Sequence, residues 1–277
     1  MRQVRLSNGE TVPALGLGTW RMGEKAGAKA NEVKALNLGL DLGMTLIDTA
    51  EMYGEGGAEE VVGEVLKSRR GEVFLVSKVY PHNASLKGVG DACARSLKRL
   101  GTDRIDLYLL HWPGSVPVAE TVEGFERLVQ AGKIRMWGVS NFDTSEMENL
   151  WSAAGGANCA TNQVLYNLSR RGIEHDLLPW MQAKAMPVMA YSPLEQGRPI
   201  DDKALDNVAA RHDKTPLQIA LAWSLRRPGV IAIPKAVRPA HLDQNRAAAD
   251  IKLSDEDLAE LDAAFPPPED KVPLAIL

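Results

Sequence analysis

Six polar residues each close a short apolar segment: Asp48, Lys78, His111, Asn141, Gln163 and Tyr191, at steps of 30, 33, 30, 22 and 28. Tyr53 follows in Asp48-Thr49-Ala50-Glu51-Met52-Tyr53, so an acid, a phenol, an ammonium and an imidazole are available to one site. A phenol with a pKa of about 10 holds its proton at neutral pH and releases it reluctantly. A neighbouring ammonium favours the phenolate, and a carboxylate beside that ammonium keeps it charged and fixed. An imidazole at the same place can hydrogen-bond a carbonyl oxygen and orient it. The set makes a tuned general acid beside a carbonyl, which suits reduction by hydride, the proton arriving as the alkoxide develops.

Each residue alone has a blander reading. A strand-end aspartate often caps a helix, a lone lysine usually snorkels, and a histidine after Leu109-Leu110 could be a satisfied core residue. What changes the balance is the frame that carries them. A βαβ crossover takes roughly 30 residues, so the spacing predicts parallel strands alternating with helices. The strands are expected at Thr45–Asp48, Val73–Lys78, Ile105–His111, Arg135–Asn141, Ala160–Gln163 and Pro187–Tyr191, with a first at Ala14–Thr19 and a last at Val230–Pro234. The fold class is α/β, a (β/α)8 TIM barrel over residues 1–277 as a single domain, whose strand C-termini converge on one face.

Helical stripes fill the gaps: Val33, Leu36, Leu40; Ala58, Val61 or Val62, Val65; Leu86, Val89, Cys93, Leu97, Leu100; and Val118, Val122, Phe125, Val129. Asp143 or Thr144 can cap a helix to about Ala154, and another is expected around Glu174–Ala185. Lys203–Arg211, Pro216–Arg226, Ala240–Asp250 and Asp255–Phe265 complete the set, the last opened by the capping box Ser254-Asp255-Glu256-Asp257. Before the first strand, Val4–Leu6 and Val12–Leu15 flank Asn8-Gly9, the strongest short hairpin signal. This N-terminal β-hairpin is expected to cap the barrel floor. Nine residues follow Pro268, too few for a large C-terminal lid.

The formal net charge is −4 and the pI about 5.8, which argues against nucleic-acid or anionic-membrane partners. No apolar run approaches a membrane span and the N-terminus lacks a signal-peptide core, so a cytoplasmic protein is expected. Cys93 and Cys159 belong to no CxxC or Cys/His cluster, so neither a metal site nor a disulfide is expected.

The chain resembles the aldo-keto reductases, in particular short-loop bacterial members, along nearly its whole length. The matching segments are LGLGTW (15–20), LIDTAEMYG (46–54), LVSK (75–78), IDLYLLHWP (105–113), IRMWGVSNF (134–142), NQVLYN (162–167), AYSPL (190–194) and IPKA (233–236). The resemblance implies a catalytic tetrad of Asp48, Tyr53, Lys78 and His111, with Tyr53 the general acid. It also implies a nicotinamide cofactor lying extended across the barrel mouth. Ser140, Asn141 and Gln163 would hold its carboxamide, with Tyr191 stacked on its ring. Thr19 and Asp48 would add contacts, and Ser192 and Leu194 would belong to a strap over the pyrophosphate. Lys235, Ala236, His241 and Asn245 would meet the adenosine end. Gly16-Leu17-Gly18 and Gly54-Glu55-Gly56-Gly57 do not form the GxGxxG of a Rossmann helix, which agrees with this binding mode.

Members committed to NADPH commonly carry serine after the lysine and an arginine five residues beyond that serine. This chain has Ala236 and His241 in those places, with Arg238 between them. Losing a hydroxyl and a bidentate guanidinium weakens the hold on a 2′-phosphate, so NADPH is expected with reduced discrimination against NADH. Trp20 and Trp112 would wall the substrate pocket with aromatic surface. The short Pro113–Pro117 connection and short tail predict an open, poorly walled pocket, suited to small or aryl aldehydes, dicarbonyls such as methylglyoxal, and some ketones. The expected reaction is hydride transfer from nicotinamide C4 with protonation by Tyr53, in a monomer. The alternative is a cofactor-binding, redox-sensing regulatory subunit with little turnover.

Overall fold

In the computed structural model, which describes residues 1–198, 200 and 202–277, Asn8-Gly9 turns the chain back on itself. Gly9 takes a φ of 89°, and β1 (Gln3–Arg5) pairs antiparallel with β2 (Thr11–Pro13), Val4 opposite Val12. The hairpin buries Val4, Leu6 and Val12 under the barrel. Its position at the strand N-termini is fixed by two contacts. Glu10 pairs with Arg135 at the start of β7 (Ile134–Ser140), and the Arg2 guanidinium donates to the carbonyls of Leu225 and Arg227. The hairpin therefore caps the floor, as its sequence predicts.

Eight parallel strands follow in chain order: β3 (Leu17–Gly18), β4 (Leu46–Asp48), β5 (Phe74–Val79), β6 (Ile105–Leu110), β7, β8 (Asn162–Leu165), β9 (Val188–Tyr191) and β10 (Val230–Ala232). Every residue of β6 is buried, as expected of a strand covered on both faces. Closure runs through the first strand: Leu15 bridges Ala232, and the Gly16 and Gly18 amides donate to the Ala232 and Pro234 carbonyls. A Cβ on Gly18 would lie 2.6 Å from the Ile233 carbonyl oxygen, so the seam closes only with glycine there.

The helices are α1 (Lys29–Asp41), α2 (Gly57–Arg69), α3 (Leu86–Leu100), α4 (Val118–Gln130), α5 (Thr144–Ser152), α6 (Leu177–Ala183), α7 (Lys203–Arg211), α8 (Pro216–Leu225), α9 (Pro239–Ala248) and α10 (Asp255–Ala264). Asp143, Thr215 and Ser254 each open a helix with a capping box, satisfying amides that the first turn leaves unpaired. Cys93 and Cys159 are free and buried among apolar neighbours, and burial pushes both thiols up to about 12. Among the described residues, no helix is long and apolar enough to cross a membrane.

Most boundaries shift by one or two residues, and three of the shifts have a clear physical reason. The first barrel strand shrinks to Leu17–Gly18; before it, the Ala14 amide donates to the Arg2 carbonyl of the hairpin, while the Ala14 carbonyl and Gly16 amide bond to Ala232 across the seam. Strand β8 runs on to Leu165, opposite Tyr191, so Gln163 lies within a strand rather than at its end. The helix expected from Glu174 starts at Leu177, since an earlier start would put Pro179, which has no N–H, at an interior position.

Candidate active site

The chain leaves β4 at Asp48 and reaches Tyr53 at the head of a tight turn, residues 53–56. Gly54, Glu55 and Gly56 all take left-handed angles, φ 57°, 53° and 94°, and two of the three are glycine, which bears this without a Cβ penalty. The turn folds the Tyr53 ring back over the barrel mouth. There it meets Trp20 edge-on at 4.9 Å between ring centroids and His111 at 5.8 Å.

Lys78 points into the barrel from β5 and is completely buried. Its ammonium has three protons, and the structure gives it three acceptors: Asp48 Oδ2 at 2.8 Å, the Thr49 carbonyl at 2.8 Å and Tyr53 Oη at 3.1 Å. Because the phenol oxygen accepts from Lys78, its own proton is left free for a partner in the cavity. Asp48 is shared. Its Oδ1 accepts from Gln163 Nε2 at 2.8 Å, while Thr19 Oγ1 donates to its carbonyl at 2.9 Å.

Burial dominates the protonation states. It lifts the Tyr53 phenol well above its ordinary range, and the Asp48 charge pushes the same way. The sequence predicts the opposite direction from the adjacent ammonium. The reason for the difference is the complete burial of the phenol, which disfavours the phenolate, with the Asp48 charge adding to it. Tyr53 is thus a held proton rather than a poised phenolate. Burial, and then the Lys78 charge, keep His111 well below the usual imidazole range, so the ring is neutral. His111 Nδ1 is buried without a partner among the described residues.

Around this group the strand ends place the amides. Asn141, with φ 59°, donates Nδ2 to the His111 carbonyl and to Ser140 Oγ, both at 3.1 Å, and its Oδ1 accepts from the Tyr191 hydroxyl at 2.9 Å. One cavity of about 1200 Å³ continues from Tyr53, His111, Trp20 and Trp112 past Ser140, Asn141, Gln163 and Tyr191. It then runs under Ser192 and Leu194 to Lys235, Ala236, Arg238, His241 and Asn245. Such a trough has the length and donor chemistry for an extended nucleotide. Amides and a tyrosine lie at the inner end, and at the outer end are cations and the N-termini of α8 and α9, which favour anions.

The structure brings together every residue singled out from the sequence with one exception. Thr19 is fully buried and does not reach the cavity; its N–H and hydroxyl both donate to the Asp48 carbonyl, so it buttresses the strand tip. The expected poor wall also needs correction. Leu274, Ile276 and Leu277 of the tail line the cavity, and the Leu277 backbone reaches Tyr191, whose phenol burial pushes up to about 12. Sequence reading also missed Thr215 and Gln218 at the start of α8. Their capping box, with Pro216 between them, was the available signal.

A model of the aldo/keto reductase family matches residues 14–199 and 200–265. The chain is 52% identical over 278 residues to the methylglyoxal reductase YeaE of Escherichia coli (strain K12), covering 99% of this chain and 98% of the relative. It is 35% identical over 263 residues to a glyoxal reductase of Bacillus subtilis (strain 168), covering 94% and 91%. A crystal structure of an aldo/keto reductase from Klebsiella pneumoniae, in complex with NADP and acetate, superposes with a TM-score of 0.97 at 54% identity, covering 99% of each chain.

Proposed function

This chain belongs to the aldo/keto reductase family, and on that premise we propose that it reduces small dicarbonyls of the methylglyoxal type with NADPH, using Tyr53 as proton donor. The observation that carries the reading is the Lys78 ammonium, which spends its three protons on Asp48, the Thr49 carbonyl and Tyr53 Oη. That leaves the phenol proton as the one free to move toward the cavity.

Bound NADPH supplies the hydride. Ser140, Asn141 and Gln163 would hold its carboxamide, and Tyr191 its ring face. Asn141 and Tyr191 are hydrogen-bonded to each other, so this end of the site is already arranged. Lys235, Arg238 and His241 line the far end, where a 2′-phosphate would lie. Neutral His111 would fix the carbonyl oxygen against Tyr53 Oη, with Trp20 and Trp112 excluding water from the face opposite. As negative charge grows on that oxygen, Tyr53 passes over its proton and Lys78 stabilises the phenolate left behind.

A relative named as a methylglyoxal reductase and one named as a glyoxal reductase support the dicarbonyl class. The expectations of a cytoplasmic location and a monomeric state belong to the same proposal; sedimentation of the holoenzyme checks the second. The direct test is oxidation of NADPH and of NADH with methylglyoxal and 4-nitrobenzaldehyde. Turnover faster with NADPH is expected. Tight NADPH binding with no turnover of either carbonyl would contradict the reading.

A further inference from the structure

Glu59 is a carboxylate with no exposed surface, and the reaction as proposed does not use it. It sits in the first turn of α2, six residues beyond Tyr53. Ser77 Oγ donates to its Oε1 at 2.6 Å and Arg99 Nε donates to its Oε2 at 2.6 Å. Ser77 immediately precedes Lys78 in β5, and alternation along a strand sends Ser77 outward to the helices while Lys78 points into the barrel. Arg99, from α3, lies across the turn that carries Tyr53: a Cβ on Gly56 would be 2.5 Å from Arg99 Cδ.

Two contacts meet at one carboxylate that itself opens a helix. One reaches the strand of Lys78, one reaches the guanidinium packed on the left-handed turn after Tyr53, and the carboxylate itself starts the helix into which that turn runs. Packing alone does not call for a buried ion pair here, because apolar residues of the same volume fill such a space at similar or lower cost.

We propose that Glu59 is a positioning residue for carbonyl reduction: with Ser77 and Arg99 it ties the Tyr53 turn to the Lys78 strand. The inference rests on the roles given above to Tyr53 and Lys78.

The groups facing these two residues are few. Lys78 is faced by Asp48 from β4, Tyr53 from the turn and His111 from the end of β6, with the Glu59 charge acting on it from α2. Glu59 is faced by Arg99 and Cys93 from α3, Ser77 from β5 and Tyr108 from β6; its charge helps to push both Cys93 and Tyr108 upward. Lys78 and Arg99 are therefore the cations that its loss would leave less supported.

The experiment compares Glu59→Gln and Ser77→Ala with the parent enzyme and with Tyr53→Phe, at saturating NADPH and varied methylglyoxal. For Glu59→Gln, kcat falls about tenfold, as small misplacements of reacting groups do. NADPH affinity, read by quenching of its fluorescence, stays within about twofold because the cavity lining is untouched. The alkaline limb of kcat moves to lower pH, since Lys78 loses its proton sooner without the second anion. Ser77→Ala, which keeps the ion pair and hence the fold, loses kcat without moving that limb.

Unchanged kcat and alkaline limb in Glu59→Gln, or unchanged kcat in Ser77→Ala, would overturn the proposal. So would a fall in kcat matched by equal losses of NADPH affinity and folded fraction. Tyr53→Phe separates the two levels. If it is inactive while the other variants are normal, only the positioning inference fails; if it turns over, the reading of the site itself fails.

Discussion

Gln163 Nε2 donates to one oxygen of Asp48 at 2.8 Å while Lys78 holds the other at 2.8 Å. A side chain proposed to grip the cofactor amide and one proposed to tune the proton donor thus share a carboxylate. Gln163→Leu should then lower both NADPH affinity and kcat. Each is expected to fall about tenfold, the scale of a hydrogen bond to a charged group. Fluorescence titration and steady-state kinetics on the same sample check it; loss of affinity with full kcat would show that the two are not linked through Asp48.

The far end of the trough predicts a shift in cofactor choice. Lys235, Arg238 and His241 line it, and His241 lies in the first turn of α9. His241→Arg should tighten NADPH relative to NADH, and Lys235→Met should do the reverse, each by about tenfold for a charge-assisted contact with phosphate. A ratio of dissociation constants that does not move in either variant would refute this assignment of the phosphate site.

Much of this was legible before any coordinate. Apolar segments ended by Asp48, Lys78 and His111 gave the parallel strands and their shared face, and Asn8-Gly9 and Ser254 to Asp257 marked a turn and a cap through local backbone chemistry. What stayed hidden depends on contacts distant in sequence. The tail's place over Tyr191, the use of Thr19 as a buttress and the meeting of Ser77 and Arg99 at Glu59 leave no periodic trace. The direction in which Tyr53 is shifted was also out of reach, because it depends first on the depth of burial, which no spacing of residues reports.

His111 makes stability depend on pH. Its folded-state pKa lies well below the imidazole value of about 6.5 expected when unfolded. Below that value the unfolded chain takes up the proton that the folded one refuses. The contribution is therefore complete above about pH 6.5 and is lost as pH falls toward the folded value, by about 1.4 kcal/mol per unit. The parent protein should lose more Tm between pH 7 and pH 5 than His111→Asn. Parallel losses would contradict the buried neutral ring.

A second buried cluster bears on stability alone. Glu174 accepts from Tyr166 at 2.6 Å and from Arg171 at 2.8 Å, with Arg226 and Arg227 each at 3.4 Å. Arg171 also reaches Asp262 of α10, so the cluster ties the β8 to α6 connection to that helix. Glu174→Gln removes the carboxylate that Arg171, Arg226 and Arg227 share and should cost about 3 kcal/mol. Urea unfolding measures it, and kcat per folded molecule should stay at the parent value.

In the proposed reaction the Tyr53 proton, held under the Lys78 ammonium, completes the reduction of a carbonyl. NADPH oxidation by Tyr53→Phe with methylglyoxal, measured alongside its NADPH dissociation constant, decides the point. The expected result is a loss of kcat of at least about a hundredfold, the lower range for a general acid, with cofactor affinity nearly intact. Turnover close to that of the parent enzyme would contradict it.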